Sequence, residues 1–128
     1  MTAIINAELV MRNHTIPEAV LFMEDGVIKG FGEMRNTPIP DGCEIIDAKG
    51  LYVGPGLIDI HTHSDGKTFF YENPKVVGHH LQHGVTTILA ALYFSMTTEE
   101  FVEAMGTIRK AMEDPDCKNL AGIYMEGP

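Results

Sequence analysis

Basic residues are scarce in this sequence, where 9 lysines and arginines stand against 18 aspartates and glutamates, for a net charge of −9. The acidic excess is spread along the chain, so there is no basic stripe to follow a phosphate backbone, and we expect no nucleic-acid partner. Long apolar runs are also missing. The longest, residues 88–94, has the length of a strand and falls short of the roughly 20 residues of a membrane span. We therefore expect no membrane partner.

Cysteines are few, and the chain begins without a leader pattern. Cys43 and Cys117 stand far apart, which disfavours a disulfide framework and makes the cytoplasm the expected compartment. Residues 1–8 lack the basic start and apolar core of a signal peptide. With 45% hydrophobic and 21% charged residues, the composition predicts a globular protein.

The pattern of the chain changes after Tyr52. Residues 1–52 contain short apolar stretches separated by turns, with a hairpin predicted at residues 24–26, so we expect a small unit of antiparallel strands. Residues 53–128 instead alternate strands (57–61, 85–94 and 120–125) with helices (75–83, and a second after residue 97). This alternation predicts parallel strands joined by right-handed crossovers, which is an α/β fold.

Both helices carry recognisable start signals. Asn73 is a candidate N-cap followed by Pro74, and Gly84 is the predicted terminator of the first helix. The three-residue spacing of Thr97 and Glu100 predicts a capping box for the second helix. Four apolar residues of that second helix recur on one side and predict a single buried stripe: Phe101, Met105, Ile108 and Met112.

Histidine is concentrated in one region, since five of the six histidines lie between residues 61 and 83. His61 and His63 end an apolar strand, and residues at i and i+2 of a strand share a face, so both imidazoles can reach one metal ion. Imidazole binds Zn²⁺ and also Fe, Ni or Cu, so the pair does not select the metal. The alternative is that both histidines only hydrogen-bond to backbone groups.

Two carboxylates and a second histidine pair are further candidates. Asp59 shares a face with His61, and it either orients a ligand histidine or accepts hydrogen bonds from backbone groups. Glu126 follows the third apolar strand, although from the residues alone an exposed glutamate in a turn is the stronger interpretation. His79 and His83 lack the glutamate of helical zinc motifs, which favours a solvated helix face.

Three segments resemble a known family. Residues 53–63 (VGPGLIDIHTH) closely resemble the first barrel strand of the amidohydrolase superfamily, and residues 84–87 (GVTT) resemble the start of its second strand. Residues 122–128 (GIYMEGP) are similar to the third strand of N-acetylglucosamine-6-phosphate deacetylases. The resemblance covers the whole chain. It implies a metal-dependent (β/α)8 barrel preceded by a small β-sandwich-like unit, with residues 1–52 in the composite sandwich domain and residues 53–128 supplying three barrel strands and two helices.

The resemblance also assigns roles to residues. His61 and His63 match the metal-binding pair of the first strand, and Glu126 matches the metal ligand of the third strand. The ion would be divalent, with Zn as the first choice and Fe, Ni, Mn or Co as alternatives. Two further histidines and a general acid/base aspartate of the family have no counterpart up to Pro128, so we expect no catalytic residue within this chain.

The implied activity is hydrolysis of the C–N bond of a non-peptide amide. The substrate would be a small molecule, N-acetylglucosamine 6-phosphate or a related N-acetyl amino sugar, deacetylated by a metal-activated hydroxide. Because a barrel needs about 250 residues, we expect the 128-residue sequence to be a truncated enzyme without activity on its own.

Two alternatives remain open at this stage. The first is another amidohydrolase, dihydroorotase-like or D-aminoacylase-like. The second is a non-catalytic fragment that self-associates through exposed sheet edges, and we expect a homo-oligomer. The segment after the histidine pair also departs from the deacetylases, which commonly carry a glycine-rich turn where this chain has residues 64–70 (SDGKTFF).

Overall fold

The computed structural model describes residues 1–127, so Pro128, the last residue of the GIYMEGP motif, lies outside the described part. The chain divides into two compact units, with the boundary between Pro55 and Gly56. This boundary falls after Pro55 instead of after Tyr52, because the strand Tyr52–Val53 pairs with the first strand of the chain. Within residues 1–127, no helix combines the length and apolar composition that crossing a bilayer requires.

The first unit is a single five-stranded sheet. Its strands are β1 (Thr2–Val10), β2 (Thr15–Glu24), β3 (Val27–Glu33), β4 (Glu44–Asp47) and β5 (Tyr52–Val53). Strands β1, β2 and β3 pair antiparallel, as predicted. Strands β4 and β5 instead both pair parallel with β1, so the prediction of a purely antiparallel unit is wrong for them. The chain crosses from the β3 edge to the opposite edge before it enters β4, and this crossover reverses the expected direction.

The hairpin between β2 and β3 is confirmed. Asp25 and Gly26 form its two-residue turn with φ angles of +51° and +74°. Positive φ at both central positions belongs to the turn type whose twist matches that of the flanking strands. A small core lies against one face of this sheet and is centred on Ala3, Val20 and Phe22.

The second unit contains three parallel strands and two helices. Strand β6 (Leu57–Thr62) and strand β8 (Leu120–Met125) flank the central strand β7 (Val85–Leu92). Helix α1 (Val77–Gln82) lies between β6 and β7 in the chain, and helix α2 (Thr98–Ala111) lies between β7 and β8. The mixed α/β fold predicted from the sequence is thus confirmed. Its core contains Phe70, Val77, Ile88, Ala90, Ile108, Cys117 and Leu120.

The predicted start and stop signals of α1 are largely confirmed. The Asn73 side chain accepts the Lys75 backbone N–H, and residues Pro74–Val76 form a single 3₁₀ turn that leads into α1. Gly84, with φ +87°, follows the helix and leads into β7. Proline at the first position suits the start of a helix because its missing N–H has no partner there in any case.

Helix α2 begins with the predicted capping box. The Thr97 side chain accepts the Glu100 backbone N–H, and the Glu100 carboxylate accepts the Thr97 backbone N–H. The predicted apolar stripe is only partly buried, since Ile108 is fully buried whereas Met105 and Met112 are 39% and 42% exposed. Ala104 is buried in their place. The buried side of α2 therefore lies nearer Ala104 than the predicted stripe does, and this small side chain lets the helix approach the sheet closely.

Candidate metal centre

The three predicted metal ligands meet at the C-terminal edge of the parallel sheet. His61 is the second-last residue of β6, and His63 directly follows the end of that strand. Glu126 comes directly after β8 on the other side of the sheet. Because parallel strands end at the same edge, residues distant in sequence become neighbours there, as they do at the active-site face of barrel enzymes.

Their side chains converge at distances suited to a shared ion. The His61 Nε2 atom is 3.6 Å from Glu126 Oε1, and the His63 Nε2 atom is 3.6 Å from Glu126 Oε2. These separations exceed the usual 2.7–3.2 Å range of a hydrogen bond. Two ligand atoms that are each about 2.1 Å from a tetrahedral ion lie about 3.4 Å apart. The spacing is therefore closer to that of ligands around one metal than to that of a direct hydrogen bond.

The donor set also suits a divalent cation. One ligand atom from each of these three residues lies within 4.8 Å of the others, and no other group of three such side chains converges in this way within residues 1–127. The side chains are 42%, 20% and 30% exposed for His61, His63 and Glu126. Two imidazoles and a carboxylate that remain partly open to solvent leave room for an ion and a further ligand.

The central strand leaves space for this convergence. Strands β6 and β8 are not paired with each other, so their side chains have to meet in front of β7. At the level of the site, Ala91 of β7 stands in register with Tyr124 of β8. A methyl group at this position allows the longer side chains of the flanking strands to approach one another.

Asp59 contacts the backbone and not an imidazole ring. Its carboxylate accepts the backbone N–H of His61 at 3.0 Å. Of the two interpretations left open by the sequence, the structure matches the one with a backbone donor. Asp59 can therefore influence the ligand pair by holding the chain at His61.

The second histidine pair stays outside the cluster. His79 on α1 and His83 directly after it are both exposed, with ring centroids 4.8 Å apart, in agreement with the solvated face predicted from the sequence. Their neighbour His80 is oriented differently, with its Nε2 atom 2.9 Å from the backbone oxygen of Ser64. His80 thereby links α1 to the segment after the histidine pair.

Two tyrosines next to the ligands were missed by the sequence reasoning. The Tyr124 ring stacks on His61, and the Tyr93 ring stacks on His63. Tyr124 lies two residues before Glu126, so the two-residue period of a strand could have placed it on the same face. Tyr93 follows β7 directly, and only the position of that strand between β6 and β8 brings it to the site.

A cavity of about 430 Å³ shares Tyr93 with the surroundings of this centre, and His61, His63 and Glu126 are not among its lining residues. Its lining is rich in acidic and aromatic groups, and the pKa of Tyr71 in its wall is raised, first by burial and then by the charge of Glu72. The space is sufficient for a small molecule. The side chains that line it are Tyr71, Tyr93, Ser95, Met96, Glu100, Glu103, Ala104 and Thr107.

The segment after the histidine pair has a fixed local structure. The Asp65 carboxylate accepts the backbone N–H groups of Thr68 and Lys67, and these hydrogen bonds hold its pKa below the ordinary value of 3.8. Ser64 pairs with Phe69 in an isolated bridge, and the Phe70 side chain is buried. The segment is therefore an ordered wall beside His63.

Histidines and a carboxylate at the C-terminal ends of parallel strands are the kind of donor set that holds a catalytic metal in α/β barrel enzymes. No family model matches the chain. Among known proteins, a dihydroorotase of Enterococcus faecalis is 32% identical over 91 residues, which are 70% of this chain and 21% of that enzyme. A D-hydantoinase of Geobacillus stearothermophilus is 45% identical over 65 residues, 51% of this chain and 13% of that protein.

The structural comparison covers more of the chain. The crystal structure of N-acetylglucosamine-6-phosphate deacetylase from Pasteurella multocida matches 99% of this chain, with a TM-score of 0.78 and 22% sequence identity. The chain spans about a third of that enzyme and about a fifth of the dihydroorotase. The resemblance to the amidohydrolase superfamily is thus confirmed, with a fold like that of its N-acetylglucosamine-6-phosphate deacetylases and with dihydroorotase and hydantoinase relatives in sequence.

Proposed function

We propose that this chain supplies half of the metal centre of an amidohydrolase that cleaves the C–N bond of a non-peptide amide. The observation that carries the proposal is the convergence of His61, His63 and Glu126, with nitrogen–oxygen distances of 3.6 Å, at the C-terminal edge of three parallel strands. The substrate we favour is N-acetylglucosamine 6-phosphate or a related N-acetyl amino sugar, because the deacetylase fold covers nearly the whole chain.

The same comparison supports a proposed architecture for the enzyme. In this proposal the second unit forms the first three strands of a (β/α)8 barrel, and the first unit forms part of a composite β-sandwich domain. The parallel order β6-β7-β8 with intervening helices supports the barrel assignment. Both cysteines are free, which agrees with a cytoplasmic location.

The proposed ligands and Asp59 each have a defined task in this chemistry. His61, His63 and Glu126 would hold a divalent ion, with Zn²⁺ as the first choice, which would supply Lewis-acid activation of a carbonyl oxygen and of a water molecule. His61 and His63 provide neutral nitrogen donors, and Glu126 provides the negative charge that a divalent cation requires. The backbone hydrogen bond from His61 to Asp59 holds the chain where the first of these donors leaves the strand.

The proposal is tested by metal titration of the purified chain. Isothermal titration with Zn²⁺, and the visible spectrum of the Co²⁺ form, should detect one site, which H61A, H63A and E126Q each weaken at least tenfold. The matched control is H83A, at an exposed histidine that directly follows α1 and lies outside the cluster, which should bind as the parent chain does. A parent chain that binds neither ion, or an H83A variant that loses as much affinity as H63A, would contradict the metal centre.

A second candidate function is an amidohydrolase that acts on an amide without a phosphate group. The cavity next to Tyr93 favours it, because Glu100 and Glu103 line this cavity and no lysine or arginine does so among its lining residues. Like charges disfavour a phosphate placed there. Ligand-detected NMR of the zinc-loaded chain distinguishes the two candidates, since N-acetylglucosamine 6-phosphate should bind under the first and only the uncharged N-acetylglucosamine under the second.

A further inference from the structure

Both proposed histidine ligands are stacked against tyrosine rings. The Tyr93 and His63 ring centroids are 4.1 Å apart with planes inclined by 14°, and those of Tyr124 and His61 are 4.6 Å apart with planes inclined by 27°. The two imidazoles contact each other edge to face, with centroids 5.4 Å apart. Each ligand ring therefore stacks on an aromatic side chain from another part of the sheet, Tyr124 within β8 and Tyr93 directly after β7.

The usual device for orienting a ligand histidine is not found at His63. Such a ring normally donates its other N–H to a carboxylate, a carbonyl or a water molecule, which fixes the ring orientation. The Nδ1 atom of His63 is buried and has no hydrogen-bond partner among residues 1–127. The carboxylate predicted for this task, Asp59, accepts a backbone N–H instead. Within the described part of the chain, contacts with the ring face are what remains to orient this imidazole.

The segment that departs from the deacetylase pattern supports one of these stacks. Phe69 contacts the Tyr93 ring edge to face, with centroids 5.3 Å apart and planes inclined by 82°. The Phe69 ring also lies nearly parallel to the Tyr71 ring, with centroids 5.2 Å apart. Phe69 is held in place by its pairing with Ser64 and by the burial of the adjacent Phe70. The Tyr93 ring is thus packed between this ordered segment and His63.

We propose that Tyr93 and Tyr124 are positioning residues that set the ring orientation of the metal ligands by stacking, and that Phe69 supports Tyr93 in this task. This inference rests on the proposed metal centre. A stacked aromatic pair contributes about 0.5–1.5 kcal/mol beyond the burial of its area, which is about a two- to tenfold change in an equilibrium constant. The flat ring is the required feature, and the tyrosine hydroxyl is not.

The test compares removal of each ring with its retention. We expect Y93L and Y124L to weaken Zn²⁺ binding about three- to tenfold in a competition titration with a chromophoric chelator, whereas Y93F and Y124F stay within twofold of the parent chain. F94L is the matched control, because Phe94 is 70% exposed and neighbours Tyr93 without stacking on a ligand. The visible spectrum of the Co²⁺ form should also shift in the leucine variants, because this spectrum depends on the geometry of the ligands. A general loss of stability would leave that geometry unchanged.

The outcomes separate the inference from the function on which it rests. The positioning role is overturned if the leucine variants bind Zn²⁺ as tightly as the parent chain, or if the phenylalanine variants bind it as weakly as the leucine variants. In either case the loss of binding in H63A still identifies the metal centre. A parent chain without zinc binding overturns the proposed function itself. If Y93L does not fold, F69L tests the same stack, because Phe69 contacts the Tyr93 ring. A Zn²⁺ affinity of F69L equal to that of the parent chain then counts against the inference.

Discussion

Asn119 is a buried polar side chain that joins three elements of the second unit. It is 2% exposed and directly precedes β8, and its Nδ2 atom donates to the backbone oxygens of Val77 at 2.9 Å and Val85 at 3.3 Å. The amide therefore connects the start of α1 to the start of β7. Buried backbone oxygens need such donors, because an unpaired polar group in the interior is costly.

Replacement of Asn119 should destabilise the second unit. N119A removes both donated hydrogen bonds to buried carbonyl oxygens, so we expect a loss of about 1–3 kcal/mol in the free energy of unfolding. N119D should cost more at neutral pH, since it places a carboxylate against those oxygens. Urea unfolding measures both variants, with K118A at the exposed neighbouring position as the control. Equal stability of N119D and the parent chain at pH 7 would contradict this role.

Asp65 predicts a dependence of local order on acid. Its pKa is lowered in the folded chain by the N–H groups of Thr68 and Lys67, so its stabilising effect is complete above the ordinary value of 3.8 and is lost as the pH falls through the lowered pKa. We expect the amide protons of Thr68 and Lys67 to lose hydrogen-exchange protection in that acidic range. D65A, which removes the acceptor, should show the loss already at pH 7, and unchanged protection in D65A would refute the assignment.

At the residue scale, the sequence predicts what local spacing determines. The i, i+2 relation of His61 and His63 places them on one face whatever surrounds the strand, and the structure brings both near Glu126. The partner of Asp59 and the ring that covers His63 depend on how β6, β7 and β8 are arranged. Side-chain type and spacing carry no information on such contacts, which is why the resemblance was needed to select Glu126.

At the scale of elements, the start of α2 is the clearest agreement between sequence and structure. A capping box satisfies two backbone N–H groups by contacts between residues three apart, so it depends little on the rest of the fold. The buried side of α2 depends on the surface that it meets, and Ala104 rather than Met105 faces that surface. The parallel entry of β4 and β5 likewise depends on a crossover that short-range patterns do not encode.

Loss of the cap should weaken α2 specifically. T97A removes the side chain that accepts the Glu100 N–H, and we expect a cost of about 1 kcal/mol in the free energy of unfolding. T98A, at the first helical position, is the matched control and should change stability by less than half as much. Chemical denaturation followed by circular dichroism compares the two variants. If T98A proved as damaging as T97A, the cap could not be the cause.

At the scale of the whole molecule, the exposed side of β6 predicts association. This strand is an edge of the three-stranded sheet, and Leu57, Ile58 and Ile60 are 61%, 69% and 57% exposed. Open apolar edge strands tend to pair with other chains. We expect concentration-dependent self-association in light scattering, with I58K shifting the chain toward the monomer and V102K, on the exposed side of α2, acting as the control. A parent chain that stays monomeric at all concentrations would refute this expectation.

The catalytic prediction also belongs to this scale. The 128-residue chain contains three of the proposed ligands, and the further histidines and aspartate implied by the resemblance have no counterpart in it. We therefore expect no acetate release from N-acetylglucosamine 6-phosphate above a blank that contains the metal alone. Acetate release that disappears in H63A would show that these residues suffice for turnover.

The order of strands β6-β7-β8 has a mechanical consequence. His61 lies on one outer strand and Glu126 directly follows the other, these two strands are not paired with each other, and the two residues are 65 positions apart in the chain. An ion bound by both residues would cross-link the two ends of this long loop and reduce the conformational freedom of the unfolded chain. Each tenfold rise in free ion above its dissociation constant then adds about 1.4 kcal/mol to the free energy of unfolding. The melting temperature of the second unit would thus rise with the concentration of free ion, and a shortage of the metal would first be detected as a loss of folded protein.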